Sequence, residues 1–365
     1  MTTRREFTQT IAAIAGGALL DAKRTVAMNK DDLFMPDEGD PHQRTWMAFG
    51  ASEKIWGKKL LSEVQRNLAA VAKTIAKSEP VSMLVRQRDY VIAKKLMGTS
   101  AVELIVCPID DLWMRDAGPV FVMTEAGGKA AIDFNFNGWG EKQEHALDAE
   151  VAGFVAERAR VKALTTKLVL EGGGIEVDGH GMAIITESCV LNTNRNPGVS
   201  KAACEAQLMT LLGLDKIIWL PGIKGKDITD GHTDFYARFA KPGVVVAGYD
   251  PDPKSFDHAV TKKHLQLLQA ATDADGKRLE VVVLEAPKTT RPAFQSKDFA
   301  AGYINFYVCN GAVIMPEFGD THANGLAQEK LQALFPRRKI EMLNIDGIAA
   351  GGGGIHCATQ QEPKA

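Results

Sequence analysis

The chain reads as one mixed α/β domain running from about residue 30 to the end, in which five helix-to-strand units close around a common axis. Three observations predict this. An amphipathic helical stretch precedes a short apolar run five times over. No long Pro/Ser-rich linker interrupts the series. The competing doubly wound sheet lacks its usual glycine fingerprint after the first strand.

In the first unit, Leu60, Leu61, Val64, Leu68, Val71 and Ile75 fall on one helical face, and Pro80 ends the pattern. Val81 to Val85 follows as a strand, then a short helix at Tyr90 to Met97 and the apolar run Val102 to Val106. The next units are helix Ala146 to Glu157 with strand Lys167 to Leu170, and helix Ala202 to Leu212 with strand Lys216 to Leu220. The last two are helix His258 to Ala271 with strand Leu279 to Leu284, and helix Leu326 to Phe335 with strand Lys339 to Leu343. Pro119 to Met123, Met182 to Thr186, Val244 to Ala247 and Ala312 to Met315 supply further strands. Closing such units radially protects most sheet edges and points their loops at the axis.

Composition narrows the function. Lys and Arg number 43 against 45 Asp and Glu, for a net charge of −2, which argues against binding nucleic acid through a broad basic face. No apolar run is long enough for membrane insertion as a helix. Five widely spaced cysteines, Cys107, Cys189, Cys204, Cys309 and Cys357, suit neither a disulfide framework nor a zinc ribbon. Residues 1–27 have the layout of an export signal: Thr3-Arg4-Arg5-Glu6-Phe7, a glycine-diluted apolar stretch from Ile11 to Leu20, then Thr25 and Ala27. The paired arginines resemble a bacterial twin-arginine signal, so the export machinery of that pathway is an expected partner and the periplasm or exterior the expected location.

The chemistry is concentrated in loops. They carry Trp113 and Asp116 before Gly118-Pro119, Glu171 before Gly172-Gly173-Gly174, and Asp230-Gly231-His232-Thr233-Asp234. The last runs from Gly351 through Gly354 to Ile355-His356-Cys357. If these loops meet, Asp116, Glu171 and Asp234 surround the imidazole of His232 and the thiol of Cys357. Cysteine and histidine supply a nucleophile and a proton carrier. Three acids would raise the thiol's pKa, so the set makes sense for a substrate that brings positive charge. A guanidinium is flat, cationic and rich in N–H donors that match carboxylates in pairs. The glycines, Gly354 included, would let backbone approach such a plane. Position behind four glycines favours exposure of Cys357, while the other four cysteines, in or beside apolar runs, read as core. Arg115 reads as structural.

Together with Phe136-Asn137-Gly138-Trp139-Gly140, Thr186-Glu187-Ser188-Cys189, Asn194-Arg195-Asn196-Pro197, Tyr303 to Tyr307 and Pro316 to Asp320, these motifs resemble the agmatine deiminases and bacterial peptidylarginine deiminases. That resemblance implies a five-bladed pseudo-symmetric α/β propeller. It also implies that Cys357 attacks the guanidinium carbon, that His232 protonates departing ammonia and then activates water, that Asp116 and Asp234 hold the guanidinium, and that Glu171 supports the histidine and substrate. Trp113 would lie beside the alkyl stem, Thr359 and Gln360 in supporting positions; no metal or organic cofactor is implied. One departure bears on specificity: agmatine-type members place an acid four residues before the catalytic histidine, where this chain has Ile228, leaving Asp227 or Asp230 to compensate. Agmatine is the first substrate expected, with peptidyl or free arginine next and amidino transfer third. A periplasmic guanidino-binding protein is the reading from a different class.

Overall fold

The computed structural model describes residues 33–365; the export signal expected over residues 1–27 lies outside them. The described residues form five sheets of three or four strands. One pattern recurs: a first strand lies antiparallel to a second, a helix follows, and a third strand returns parallel to the second. In chain order the first complete unit is Val120–Thr124, Lys129–Asp133, helix Val151–Ala159 and Lys162–Thr165. The next is Ile175–Val177, Met182–Thr186, helix Lys201–Leu212 and Lys216–Leu220. Then come Ala237–Lys241, Val244–Tyr249, helix His258–Ala270 and Glu280–Glu285. The fourth is Tyr307–Val308, Ala312–Glu317, helix Thr321–Leu334 and Lys339–Asn344. The remaining sheet joins the chain's two ends: Thr359–Pro363 lies antiparallel to His42–Phe49, helix Glu53–Ile75 follows, and Val81–Val85 and Val102–Val106 complete it.

The helices exist because parallel strands need a crossover, and each crossover covers its sheet with an apolar face. Helix Glu53–Ile75 buries Val64, Leu68, Val71 and Ile75, the face expected from their spacing. Local chemistry sets the ends. Ser200 and Asp320 each accept a hydrogen bond from the third residue of the following helix, Ala203 and Ala323. Gly213, at φ 65°, ends helix Lys201–Leu212 where any side chain would strike the carbonyl of Leu33.

The strand expected at Lys167 to Leu170 is not one; the parallel strand is Lys162–Thr165. The helix before it also starts later than expected, at Val151, after a 3-10 turn at Asp148–Glu150. Arg160 turns the chain at φ 56°, so strand pairing begins at once. The backbone of 166–169 is then bound by side chains: Asn135 donates to the carbonyls of Thr166 and Leu168, and Asn196 exchanges two bonds with Val169. Leu168 and Leu170 are still core, which is why the segment reads as apolar. Val120–Thr124 is the strand expected at Pro119 to Met123, but the other first strands escaped sequence reading. Ile175–Val177 and Tyr307–Val308 are very short, and Thr359–Pro363 is polar, with Glu362 accepting from the Trp46 indole and Lys129.

Candidate active site

Each first strand is entered through a loop, and these loops hold the chemistry. Asp116 sits in the helical turn Met114–Ala117 ahead of Val120–Thr124. Glu171 precedes Ile175–Val177, His232 and Asp234 precede Ala237–Lys241, and Cys357 precedes Thr359–Pro363. The loop ahead of Tyr307–Val308, which yielded no candidate from sequence, supplies Asn305. All five expected residues and Asn305 are buried.

They form one cluster. His232 Nε2 lies 3.3 Å from Glu171 Oε2, and its Nδ1 is 3.7 Å from Asp116 Oδ1, within ion-pair but outside hydrogen-bond reach. The Asp116 carboxylate accepts from the Trp139 indole at 3.0 Å and from the backbone N–H of Gly173 at 3.1 Å. A Cβ on Gly173 would lie 2.6 Å from His232 Nδ1 and 2.8 Å from Asp116 Oδ1, so this glycine is required for the two to face each other. Cys357 Sγ is 3.5 Å from Asp234 Oδ2 and 3.2 Å from Asn305 Nδ2, while Asn305 Oδ1 accepts from the Cys357 backbone N–H at 3.3 Å. His356 Nδ1 hydrogen-bonds Asp234 Oδ2 at 2.7 Å.

The charges follow from these contacts. Burial pushes the Cys357 thiol well above its ordinary pKa, and Asp234 and Asp116 push it further. Burial would discharge His232, but Asp116, the Cys189 sulfur and Glu171 outweigh it and hold the imidazole protonated. Burial, then repulsion from Asp234 and Glu171, lifts Asp116 to about 6, opposed by His232 and Trp139. Glu171 is held low despite burial by His232 and Arg195, and Asp234 despite burial chiefly by the His356 hydrogen bond. Asp234 Oδ1 and His232 Nδ1 are buried without hydrogen-bond partners. The open Asp234 Oδ1, on the carboxylate that also contacts the thiol, suits a ligand with N–H donors.

Several expectations need correction. Cys357 is only 5% exposed, so it does not stand on an open surface. Its glycines serve neighbouring side chains: a Cβ on Gly353 would strike the Trp113 ring at 2.1 Å, and one on Gly354 the Asn305 amide at 2.3 Å. Trp113 also stacks 5.7 Å from Trp56. Asp230 has no room for substrate. It accepts from Lys142, Arg195, Asn194 and the Gly225 backbone, and against its burial these donors bring its pKa to about 2. Through Arg195, whose Nε is 2.8 and 3.0 Å from the two Glu171 oxygens, it braces the acid beside His232. The motif containing Arg195 was visible in sequence; its partner was not. Cys189, assigned to the core, is buried but 3.5 Å from Glu171 Oε2. Glu171, Cys189 and His232 are the one group among the described residues close enough to converge on a metal ion, and Arg195 already supplies Glu171 with a cation. Thr359 bonds the carbonyls of Ile355 and His356, and Gln360 donates to that of Pro119, so both shape the Cys357 turn.

A cavity of about 920 Å³ opens beside His232, walled by Ile228, Phe235, Gly351 and Gly352 among others.

A thiol, an imidazole and paired carboxylates on this α/β fold are the equipment of the C–N hydrolases that act on guanidino groups. The chain belongs to the Porphyromonas-type peptidyl-arginine deiminase family, whose model matches residues 34–363. It is 42% identical over 340 residues to a protein of Streptomyces coelicolor, covering 90% of this chain and 98% of that one. It is 35% identical over 364 residues to the agmatine deiminase of Stutzerimonas stutzeri, covering 93% and 98%. The solved agmatine deiminase of Enterococcus faecalis superposes with a TM-score of 0.86 at 32% identity, covering 94% of this chain and all of that one.

Proposed function

We propose that this protein hydrolyses agmatine to N-carbamoylputrescine and ammonia through a thiouronium on Cys357. The observation that carries the reading is the thiol beside Asp234 and in the field of Asp116, the same carboxylate that faces the protonated His232. A guanidinium held by Asp116 and Asp234 offsets the charge that keeps the thiol protonated, and the thiol ionises as substrate binds. Sγ then attacks the guanidinium carbon. The bond to a terminal nitrogen breaks as His232 gives that nitrogen its proton, and ammonia leaves. Neutral His232 takes a proton from water, and the resulting hydroxide adds to the thiouronium carbon. The carbon–sulfur bond breaks, the ureido product departs and the thiol is reprotonated. The proton released at binding ends on ammonia. Glu171 keeps His232 in place, and Trp113 and the Gly354 turn border the stem.

The cavity's aspartates support agmatine over free arginine, whose carboxylate they would repel. Five repeated units, the first closed by the chain's last strand, support a five-bladed pseudo-symmetric propeller. The paired arginines support export to the periplasm. Incubation with agmatine, arginine and an arginyl peptide, followed by assay of ureido product and ammonia, tests the function. Product from agmatine is expected; turnover of the peptide alone would move the protein to the protein-modifying branch.

A further inference from the structure

The cavity is larger and more acidic than a short guanidino-amine requires. At about 920 Å³ it lies near the top of the range of roughly 300–1,000 Å³ that fits drug-sized ligands. Five aspartates line it, among them Asp227, Asp250 and Asp257, against two lysines, Lys288 and Lys297. Among the described residues none of these three aspartates is ion-paired. Asp227 accepts from its own turn, at Thr229 and Gly231; Asp250 accepts from the Asp252 N–H; Asp257 accepts from the Tyr236 hydroxyl at 3.1 Å. Burial lifts Asp257 to about 6, and Asp227 and Asp250 push in the same direction despite the Tyr236 bond. Such a group is relieved by a cation. His232, 1% exposed and without a hydrogen-bond partner at Nδ1, is the member of the reacting set that forms part of the same wall, so the acidic space reaches the reacting centre at that imidazole. Phe235, Tyr249 and Phe299 add apolar surface to the same wall.

We propose that the cavity takes a guanidino-polyamine, a guanidino compound whose tail carries more than one ammonium group, with that tail lying along Asp227, Asp250 and Asp257. The methylene spacers pack on the aromatic rings and each ammonium meets a carboxylate that has no cation of its own. Ile228, apolar where a single acid would grip one terminal amine, then borders a spacer. The proposal rests on the deiminase reading above and goes beyond it in naming the substrate class.

Steady-state kinetics on the purified full chain with agmatine, monoguanidino-spermidine and a short arginyl peptide test it. The expected result is a kcat/KM at least tenfold higher for monoguanidino-spermidine than for agmatine, and a collapse of that ratio to about twofold or less in the variant Asp250→Asn/Asp257→Asn. Circular dichroism verifies that the variant is folded, and the single variant Asp257→Asn should lower the ratio in the same direction. Agmatine turned over as well as or better than the longer compound overturns this inference and leaves the deiminase reading standing. So does a ratio that survives the double substitution, or a preference for the peptide. No turnover of any guanidino compound overturns both.

Discussion

Asn305 holds Cys357 by both ends, donating to the sulfur and accepting from the backbone N–H, which ties nucleophile position to one amide. Asn305→Ala removes one of the thiol's two neutral donors, leaving the Gly354 backbone, and the acceptor for its peptide. The expected cost is about 1–2 kcal/mol in stability and a fall in kcat of tenfold or more, read by urea unfolding and steady-state assay; unchanged kcat would remove Asn305 from the site. Asp116 sets the acid limb. Lifted to about 6 by burial and by Asp234 and Glu171, it is protonated below that pH and can no longer receive a guanidinium. Log kcat/KM for agmatine should therefore fall as pH drops through about 6, and a flat profile from pH 5 to 8 (set roughly by the histidine-to-carboxylate range) contradicts that role. At this scale the sequence was most informative, because Asp116, Glu171, His232, Asp234 and Cys357 stand in glycine-marked loops. Asn305 lacked that marking, and His356, though in the glycine loop beside Cys357, was not singled out; their value lies in contacts with residues tens or hundreds of positions away.

Between elements, helix His258–Ala270 is fastened to the loop leading to His232 through His264. Its Nε2 accepts from the Gly222 N–H at 3.2 Å, and its ring meets Tyr236 edge-on at 4.7 Å. Burial lowers its pKa to about 4. An unfolded chain thus binds a proton at pH values where the folded His264 does not, so this residue's contribution to stability is complete above about 6.5 and is lost as pH falls toward 4. The loss is on the order of 3 kcal/mol. Urea midpoints at pH 7 and pH 4.5 (values chosen to bracket roughly that window) should drop less in His264→Gln than in the unsubstituted chain; equal drops would contradict the assignment. The helices, most third strands and three of the second strands were readable because apolar runs mark a buried face, whereas the second strands His42–Phe49 and Lys129–Asp133 were not read. The strand near 167–170 was misplaced because burial of Leu168 and Leu170 comes from packing alone, with Asn135 and Asn196 in place of a ladder.

Across the molecule, one buried ionic plug touches the first strands that the loops enter. Glu38 accepts from Arg115, Arg238 and the Val308 N–H, and pairs with His356 Nε2 at 2.9 Å. Arg238 continues to Glu176 at 2.7 Å, and Arg115 to Gln361 at 2.7 Å. The same His356 hydrogen-bonds Asp234, so the plug that joins the sheets also orients an acid beside the nucleophile. Nothing in the pattern around Glu38 marks it, since its partners lie 77 to 318 residues away along the chain. Removing it takes from Arg115 its carboxylate partner and leaves Arg238 with Glu176 alone. Glu38→Ala should cost about 3–5 kcal/mol of stability in urea unfolding, with Glu38→Gln milder; a cost under about 1 kcal/mol would mean the plug does not bind the sheets together.

The most direct test asks whether the guanidinium carbon ever sits on the sulfur of Cys357. Rapid acid quench during agmatine turnover, followed by peptide mass analysis, should give a Cys357-containing peptide heavier by agmatine less ammonia. The adduct should be absent from Cys357→Ser, which should also be inactive. Full turnover with no adduct at any quench time, together with an active Cys357→Ser, would contradict the account.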